Sequence, residues 1–127
     1  MTRRFAAVAI ATAALVPATA LASFASSQKT VVPTRAEHAE IVKAFGDPAA
    51  AAPCLITRLA AANHSYADVR FNGRKTCLEW AFNGVNILER VNATRWRIRF
   101  EGSAYKCPIA NIPRAVQRDL GVCPYGA

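Results

Sequence analysis

Few side chains in this sequence are suited to proton transfer or metal binding. Its two histidines are His38, which lies between Glu37 and Glu40, and His64. Neither occurs in an H-E-x-x-H or H-x-H pattern, the spacings that bring two imidazole rings to one metal ion. We therefore expect no metal site and no cofactor, and we expect His64 to titrate or to hydrogen-bond a helix end without a catalytic role.

The carboxylates and hydroxyls show no catalytic spacing either. Glu79, Glu89 and Glu101 offer carboxylates for glycoside cleavage, but nothing in their spacing selects a pair. Gly102-Ser103 lacks the G-x-S-x-G pattern of an activated serine. The sequence therefore favours a protein that is not an enzyme and that has no catalytic residues.

The four cysteines are the residues best suited to a covalent role, and they are Cys54, Cys77, Cys107 and Cys123. Their number is even and none forms a C-x-x-C pair, which indicates structural disulfides rather than zinc binding or redox chemistry. Of the three possible pairings we favour Cys54 with Cys77 and Cys107 with Cys123, because local loops close most easily. In the chain-entropy model each bridge stabilises the fold by about 3 kcal/mol.

The N-terminus has the three parts of a cleavable secretory signal. Arg3 and Arg4 supply positive charge, residues 5–16 are apolar, and Ala20-Leu21-Ala22 has the small-x-small form that signal peptidases cut. We therefore predict a signal peptide over residues 1–22. No later segment is long and apolar enough to cross a bilayer, so we expect a secreted product, extracellular or periplasmic, with no membrane span after cleavage.

One small basic domain should remain after cleavage. Residues 23–33 are small, polar and aperiodic, which favours a flexible leader. Residues 34–127 are long enough for a single disulfide-stapled domain, which we expect to be a monomer. Only two of the 16 Lys and Arg precede the cut, whereas all 8 Asp and Glu follow it, so the mature protein is still basic. Such a charge favours association with anionic partners.

Three short helices are predicted around a sheet. Thr34 and Glu37 form a capping-box pattern and Gly46 is placed to end a helix, which predicts a helix over about 35–45. A second helix after Cys54 and a last helix near the C-terminus are predicted from apolar residues at helical spacing. These residues are Leu55, Leu59 and Ala62 for the second helix, and Ile112, Val116 and Leu120 for the last.

Between the helices the apolar residues recur at every second position, which predicts strands. Asn72-Gly73 and Asn83-Gly84 are dipeptides typical of two-residue hairpin turns. The alternating residues are Ala67, Val69, Phe71, Leu78, Trp80, Phe82, Val85, Ile87, Val91, Trp96, Ile98 and Phe100. We therefore predict an α+β fold, a four-stranded antiparallel meander with two short N-terminal helices and one C-terminal helix packed on its apolar face.

The predicted register places several arginines on the face away from the helices. A two-residue turn sets Trp80 opposite Ile87, and a four-residue turn sets Ile87 opposite Phe100 and Arg90 opposite Arg97. The candidate anion-binding residues on this face are Arg70, Arg90, Arg97 and Arg99. Because clustered like charges attract polyanions, we expect the face to bind nucleic acid, an acidic envelope polymer or an acidic protein.

A second hypothesis is an exported inhibitor or protein-binding module. In such proteins, disulfide-braced loops present a fixed shape to a partner. The candidate loops are residues 102–106 and the tail 124–127. A helix with four strands also occurs in cystatin-like folds and in secreted bacterial inhibitors, which is a likeness of architecture only.

A third hypothesis is a hydrolase. The chain resembles the small secreted ribonucleases of microbial type in size, export and helix-then-sheet order. This resemblance implies a glutamate general base, an arginine phosphate clamp and a histidine general acid on the sheet. Glu79 or Glu101, with Arg97 or Arg99, would match the first two roles. The third role is unmatched, because no histidine follows His64.

Overall fold

A computed structural model describes residues 29–123, so the predicted signal peptide, residues 23–28 of the leader and the tail 124–127 lie outside the described residues. The fold is α+β, with five antiparallel strands that neighbour one another in chain order. The strands are β1 (Thr30–Val31), β2 (Leu55–Ala60), β3 (Tyr66–Phe71), β4 (Val85–Arg90) and β5 (Trp96–Gly102). The helices are α1 (Arg35–Phe45) and α2 (Arg114–Asp119), with 3-10 helices at Ala49–Cys54 and Lys75–Trp80.

Helix α1 confirms the prediction made from its capping residues. The Thr34 hydroxyl accepts a hydrogen bond from the Glu37 backbone N–H at 3.1 Å, and the Glu37 carboxylate accepts one from the Thr34 N–H at 3.0 Å. These bonds satisfy donors that the first turn would leave free. Gly46, at φ +102°, ends the helix in the left-handed conformation that glycine adopts most readily. The helix buries Ile41 and Val42 against the sheet.

The predicted second helix is wrong, because residues 55–60 form strand β2. Leu55 and Leu59 are four residues apart, a spacing that fits one face of a helix and one face of a strand equally well. The β-branched Thr57 lies between them on the same strand face, 2 % exposed, and Pro53 precedes them. A second unpredicted strand, β1, lies within the predicted leader and pairs with β2. Because one predicted strand is also lost, the sheet has five strands rather than four.

The predicted second strand is also wrong, because residues 75–80 form a 3-10 helix. This helix has about three residues per turn, so Cys77 and Trp80 share a face. Cys77 is buried in its disulfide and Trp80 is half-buried against the core, whereas Leu78 is exposed. Strand β3 consequently pairs directly with β4, and the predicted pairing of Trp80 with Ile87 does not occur.

Both faces of the sheet are covered, which corrects the expectation of a single apolar face. One core cluster joins α1 to the side chains on one face of the strands, including Leu59, Val69, Leu88 and Trp96. A second cluster joins Tyr66 and Ile87, on the opposite face, to α2 and the chain around it. We call the face that packs on α1 the α1 face, and the opposite face the α2 face. Helix α2 and its neighbours cover the α2 face only in part, because the side chains of Arg70 and Arg97 are 47 % and 56 % exposed.

The register of the last hairpin agrees with the prediction at one end and departs from it at the other. Ile87 pairs with Phe100 as expected. The register then shifts, so Leu88 pairs with Ile98 and Glu89 with Arg97. One extra residue, Arg99, is accommodated on β5, as in a β-bulge. The predicted pairing of Arg90 with Arg97 is therefore wrong.

Both predicted disulfides are confirmed. Cys54 bonds Cys77 and thereby ties the two 3-10 helices together, and Cys107 bonds Cys123 across the segment that contains α2. Two disulfides in so small a domain are compatible with an extracellular location. Within residues 29–123 no helix is long and apolar enough to cross a membrane.

Candidate functional site

Three of the four candidate arginines lie on the α2 face, and each has a carboxylate partner. The Arg70 Nε atom is 2.6 Å from Asp68, and its Nη2 donates to the Leu120 carbonyl at 2.6 Å. Arg97 and Arg99 both pair with one oxygen of Glu89, at 3.1 and 3.2 Å. Burial of the Asp68 carboxylate raises its pKa above the ordinary value, and the charge of the neighbouring Arg70 opposes this rise only in part.

The fourth candidate, Arg90, lies on the α1 face. Its guanidinium is 2.6 Å from Glu37 of α1 and 4.6 Å from the centre of the Trp96 ring, and it donates to the Ala93 carbonyl. It therefore fastens the start of α1 to the last hairpin. The four candidates do not share one surface, and their anion-binding role is still a prediction.

The basic residues that lack such partners lie elsewhere. Every ion pair within residues 29–123 involves one of the four candidate arginines. Other cations in that range pair with no described carboxylate, and four of them line cavities beside α1. These are Arg35, Lys43, Arg58 and Arg95. Six further unpaired cations lie away from these cavities, so unpaired charge occurs beside α1 and on other surfaces of the described chain. Below, the arginine-rich strands are β3, β4 and β5, which carry the four candidate arginines.

A groove of about 790 Å³ runs between α1 and the 3-10 helix Ala49–Cys54; we call it the α1 groove. Its floor and walls are mostly methyl, methylene and ring carbons, contributed by Ala39, Val42, Pro48, Ala49, Ala52 and Pro53. Arg35 and Lys43 also line it, and Asp47 is the one acidic residue among the described lining. The groove is therefore apolar at its base and basic along α1.

His38 fixes the geometry of this groove. Its Nε2 lies 2.8 Å from the Ala52 carbonyl and its Nδ1 lies 2.7 Å from the Thr57 hydroxyl. Because a carbonyl only accepts, Nε2 must carry a proton, and in the neutral ring Nδ1 then accepts from Thr57. Both ring nitrogens are occupied, so His38 joins α1 to the opposite groove wall and to β2. This is a positioning role.

A smaller cavity of about 400 Å³ continues from the α1 groove. It shares Arg35 and His38 with the groove and extends past Val32 to Ile56 and Arg58 on β2. Val32 and Ile56 are among the exposed large apolar residues of the described chain. Beyond the short β1, the outer edge of β2 is therefore bordered by apolar surface, by the shared Arg35 and by one further cation, Arg58.

The acid that meets Arg97 and Arg99 is Glu89, rather than the predicted Glu79 or Glu101. Besides its two guanidinium partners, Glu89 accepts a long hydrogen bond of 3.4 Å from the Tyr66 hydroxyl. Burial, followed by the charge of Glu89, raises the pKa of Tyr66, so this phenol stays protonated at neutral pH. The first two roles of the ribonuclease-like hypothesis thus have a geometric counterpart.

The histidine general acid of the ribonuclease-like hypothesis has no counterpart among the described residues. His38 is fully engaged, and His64 lies exposed in the turn before β3 with no described hydrogen-bond partner. No group of three or more His, Cys, Asp or Glu side chains within residues 29–123 is arranged to hold a metal ion.

The α1 groove was not identified from the sequence. Residues 47–53 contain two prolines and five other small or acidic residues, a composition that marks a break between elements. One signal was present, because Arg35, Ala39 and Lys43 recur at i, i+4 and i+8 on one flank of the predicted helix. A helix flank with small side chains between cations is a surface that another chain can approach closely.

Comparison of the chain with protein-family models, with curated proteins and with solved structures found no match. The function proposed next rests on the groove, its charges and its bracing.

Proposed function

We propose that this protein is an exported, monomeric, non-enzymatic binding module whose α1 groove holds an apolar segment of an acidic partner protein. The observation that carries the proposal is the groove itself, an apolar surface lined along α1 by cations that have no described carboxylate partner. The proposal joins two hypotheses drawn from the sequence, an anionic partner and a protein-binding role. It places both at the α1 groove rather than at the four candidate arginines.

The size and lining of the groove suit a few apolar side chains. Its volume of about 790 Å³ lies within the range of about 300–1,000 Å³ typical of ligand-binding clefts. The small side chains of Ala39, Ala49 and Ala52 allow a bound backbone to approach closely. Burying such a lining removes apolar surface from water, which supplies the main driving force for association.

The charges explain the preference for an acidic partner. Arg35 and Lys43 are eight residues apart, which places them about 12 Å apart along the helix axis. A segment with acidic residues on either side of an apolar centre would meet both cations. Because these side chains lie at the rim, they should mainly accelerate association and fix orientation.

The groove is braced before any partner arrives. His38 joins its two walls, and the disulfide Cys54–Cys77 fixes the end of the 3-10 helix that forms one wall. A braced site loses little conformational entropy on binding, so more of the contact energy is available as affinity. This is the property expected of an inhibitor or a docking module.

The proposal is tested by mapping amide shifts on the ¹⁵N-labelled mature protein. The probes are a peptide of alternating Leu and Glu, its Leu and Lys counterpart, and a short DNA duplex. The acidic peptide should shift amides of Ala39, Ala49 and Ala52 and saturate, whereas the basic peptide should not. If only the duplex binds and it shifts residues 95–101, the arginine-rich strands are the site and the α1 groove is not.

Charge variants sharpen the test. Arg35→Glu with Lys43→Glu should weaken binding of the acidic peptide about tenfold or more at low salt. The matched control is Arg74→Glu with Lys75→Glu, which makes the same charge change at exposed residues outside the groove lining. If both double variants lose affinity equally, the attraction is to net charge and the groove has no special role.

The ribonuclease-like alternative is supported by one observation, the convergence of Glu89 with Arg97 and Arg99. It predicts that the mature protein cleaves single-stranded RNA and that Glu89→Gln abolishes the cleavage. His64→Ala tests the same hypothesis at the only histidine with free ring nitrogens among the described residues. RNA cleavage lost in both variants would replace the binding-module proposal.

A further inference from the structure

The sequence contains the tripeptide Phe-Asn-Gly twice, and the fold gives the two copies different surroundings. The first copy is residues 71–73 and the second is residues 82–84. In both copies the glycine after the asparagine has positive φ, +76° at Gly73 and +99° at Gly84. Because both asparagines have the same residue on either side, a difference in their reactivity comes mainly from the fold.

The side chain of Asn72 is held in place at both ends. Its Nδ2 donates to the Pro53 carbonyl at 3.1 Å and to the Cys77 sulfur at 3.8 Å. Its Oδ1 accepts from the Arg74 backbone N–H at 3.0 Å. Cys77 is itself fixed by its disulfide to Cys54. The Asn72 carboxamide therefore turns toward another atom only when these bonds open.

Asn83 lacks such restraints. It is exposed, and its side chain forms no hydrogen bond with any residue in the range 29–123. It lies between the 3-10 helix Lys75–Trp80 and β4, outside every regular element. The backbone N–H of the next residue, Gly84, donates to no described carbonyl. The Asn83 carboxamide is therefore free to rotate toward that N–H.

An unrestrained asparagine before glycine undergoes an intramolecular reaction. The Gly84 backbone nitrogen attacks Cγ of Asn83, the new N–Cγ bond closes a five-membered succinimide, and Nδ2 leaves as ammonia with the proton of the attacking nitrogen. Water then opens the ring at either of its two carbonyls, which gives aspartate or isoaspartate without any oxidant or reductant. Glycine favours the first step, because it has no side chain to hinder the approach of its nitrogen.

We propose that Asn83 is a site of spontaneous deamidation in the mature protein, and that Asn72, in the same tripeptide, is protected by its hydrogen bonds. Asn72 reacts only from the fraction of molecules in which those bonds are open. Two side-chain hydrogen bonds correspond to a factor of about ten in that opening equilibrium, so Asn72 should react about tenfold or more slowly than Asn83. This site does not depend on the α1 groove.

Either product alters the surface at the start of β4. Both products add one negative charge, and isoaspartate also lengthens the main chain by one methylene group. There is little room for that group, because a Cβ added to Gly84 would lie 2.8 Å from the Gly102 carbonyl oxygen. The isoaspartate form should therefore loosen the adjacent strand pair, Val85 with Gly102, while the core stays intact.

The test follows both sites in one sample of the mature protein with its disulfides intact. The protein is incubated at mildly alkaline pH, and peptide mass mapping then locates each amide that has become an acid, with an unincubated sample as the reference. The Asn83 peptide should accumulate aspartate and isoaspartate, whereas the Asn72 peptide should stay largely unchanged. If Asn72 reacts as fast as Asn83, or if Asn83 stays intact, the proposal is wrong.

A second arm tests whether the hydrogen bonds protect Asn72. The reduced protein is incubated in concentrated urea, where both sites should react at similar rates because only the Phe-Asn-Gly sequence remains. A difference between the sites that persists after unfolding would assign it to the sequence beyond the tripeptide and would overturn the protective role of the hydrogen bonds.

A pair of matched variants assigns the site. In Asn83→Gln the same attack would have to close a six-membered ring, so this variant should lose most of the acidic forms that wild type develops on ion-exchange chromatography. Asn72→Gln makes the same change in the other copy and should leave those forms nearly unaltered. If Asn83→Gln develops as many acidic forms as wild type, deamidation occurs elsewhere and the assignment fails.

Discussion

Replacing Gln117 by Met should remove three hydrogen bonds that hold the C-terminal segment to α2. Gln117 lies on α2 and is 0 % exposed. Its carbonyl oxygen accepts from the Ile109 N–H at 2.7 Å, and its amide nitrogen donates to the carbonyls of Ile109 and Ile112 at 2.9 and 2.7 Å. One side chain thus satisfies three backbone groups in a stretch that has no regular secondary structure. These bonds complement the disulfide Cys107–Cys123.

The size of the effect follows from those three groups. Methionine has nearly the same length and shape as glutamine, so Gln117→Met leaves little cavity and removes mainly the hydrogen bonds. A buried backbone group left without a partner costs about 1–3 kcal/mol. Local relaxation and entry of water will offset part of this sum, so we expect a loss of at least about 3 kcal/mol. That is a large share of the roughly 5–15 kcal/mol by which domains are stable.

The assay is equilibrium urea unfolding with both disulfides intact, together with hydrogen exchange at the Ile109 amide. Gln117→Met should lower the midpoint without changing the slope, and the Ile109 amide should exchange faster than amides of β3. Arg118→Met, at the next and exposed position of α2, is the matched control and should change stability by less than about 0.5 kcal/mol. A Gln117→Met protein as stable as that control would refute the reasoning.

Two further predictions concern the backbone at two glycine turns and the capping glutamate of α1. Gly84→Ala should lose about 2 kcal/mol or more, because φ is +99° and the new Cβ would lie 2.8 Å from a carbonyl oxygen at the end of β5. Gly73→Ala, at φ +76° with open space around it, should lose only about 1 kcal/mol, and equal losses in urea unfolding would contradict this. Hydrogen bonds from Thr34, followed by the nearby Arg90, keep the pKa of Glu37 below its ordinary 4.5, so its ionised form stabilises the fold above that pH. Glu37→Gln should therefore be about 1 kcal/mol less stable at neutral pH, and its difference from wild type should disappear as pH falls below 4.5 through the lowered pKa of Glu37. A difference that stays constant across that range would exclude the carboxylate as its source.

The features predicted correctly from the sequence depend on residues that are close together in the chain. The capping box of α1 needs only Thr34 and Glu37, and the two disulfides close short loops. The glycines of Asn72-Gly73 and Asn83-Gly84 both adopt positive φ, as expected. Neither dipeptide forms the predicted hairpin, however, because the chain between them folds into a 3-10 helix that brings Cys77 to Cys54. Local conformation was predictable, and the strand partner was not.

Features that depend on distant partners were predicted less well. The spacing of Leu55 and Leu59 fits a helix and a strand, and only the pairing of β2 with β3 decides between them. The register shift after Ile87 depends on where the hairpin accommodates Arg99. A shift of one residue exchanges the faces of a strand, so it changes which side chains meet. Glu89 rather than Arg90 therefore lies opposite Arg97, and two like charges are replaced by an ion pair.

The four arginines selected from the sequence are also the four that form ion pairs in the described chain, and this has a physical reason. Like charges on neighbouring strands are destabilising, so a stable register tends to place a carboxylate among them, as Glu89 lies between Arg97 and Arg99. Arginines that alternate along a strand therefore indicate internal ion pairs at least as strongly as a binding surface. A cation on a helix flank, such as Arg35 or Lys43, has fewer fixed neighbours and keeps its charge available. For a basic protein of this kind, the binding site is better sought among cations beside an apolar groove than where the arginines are densest.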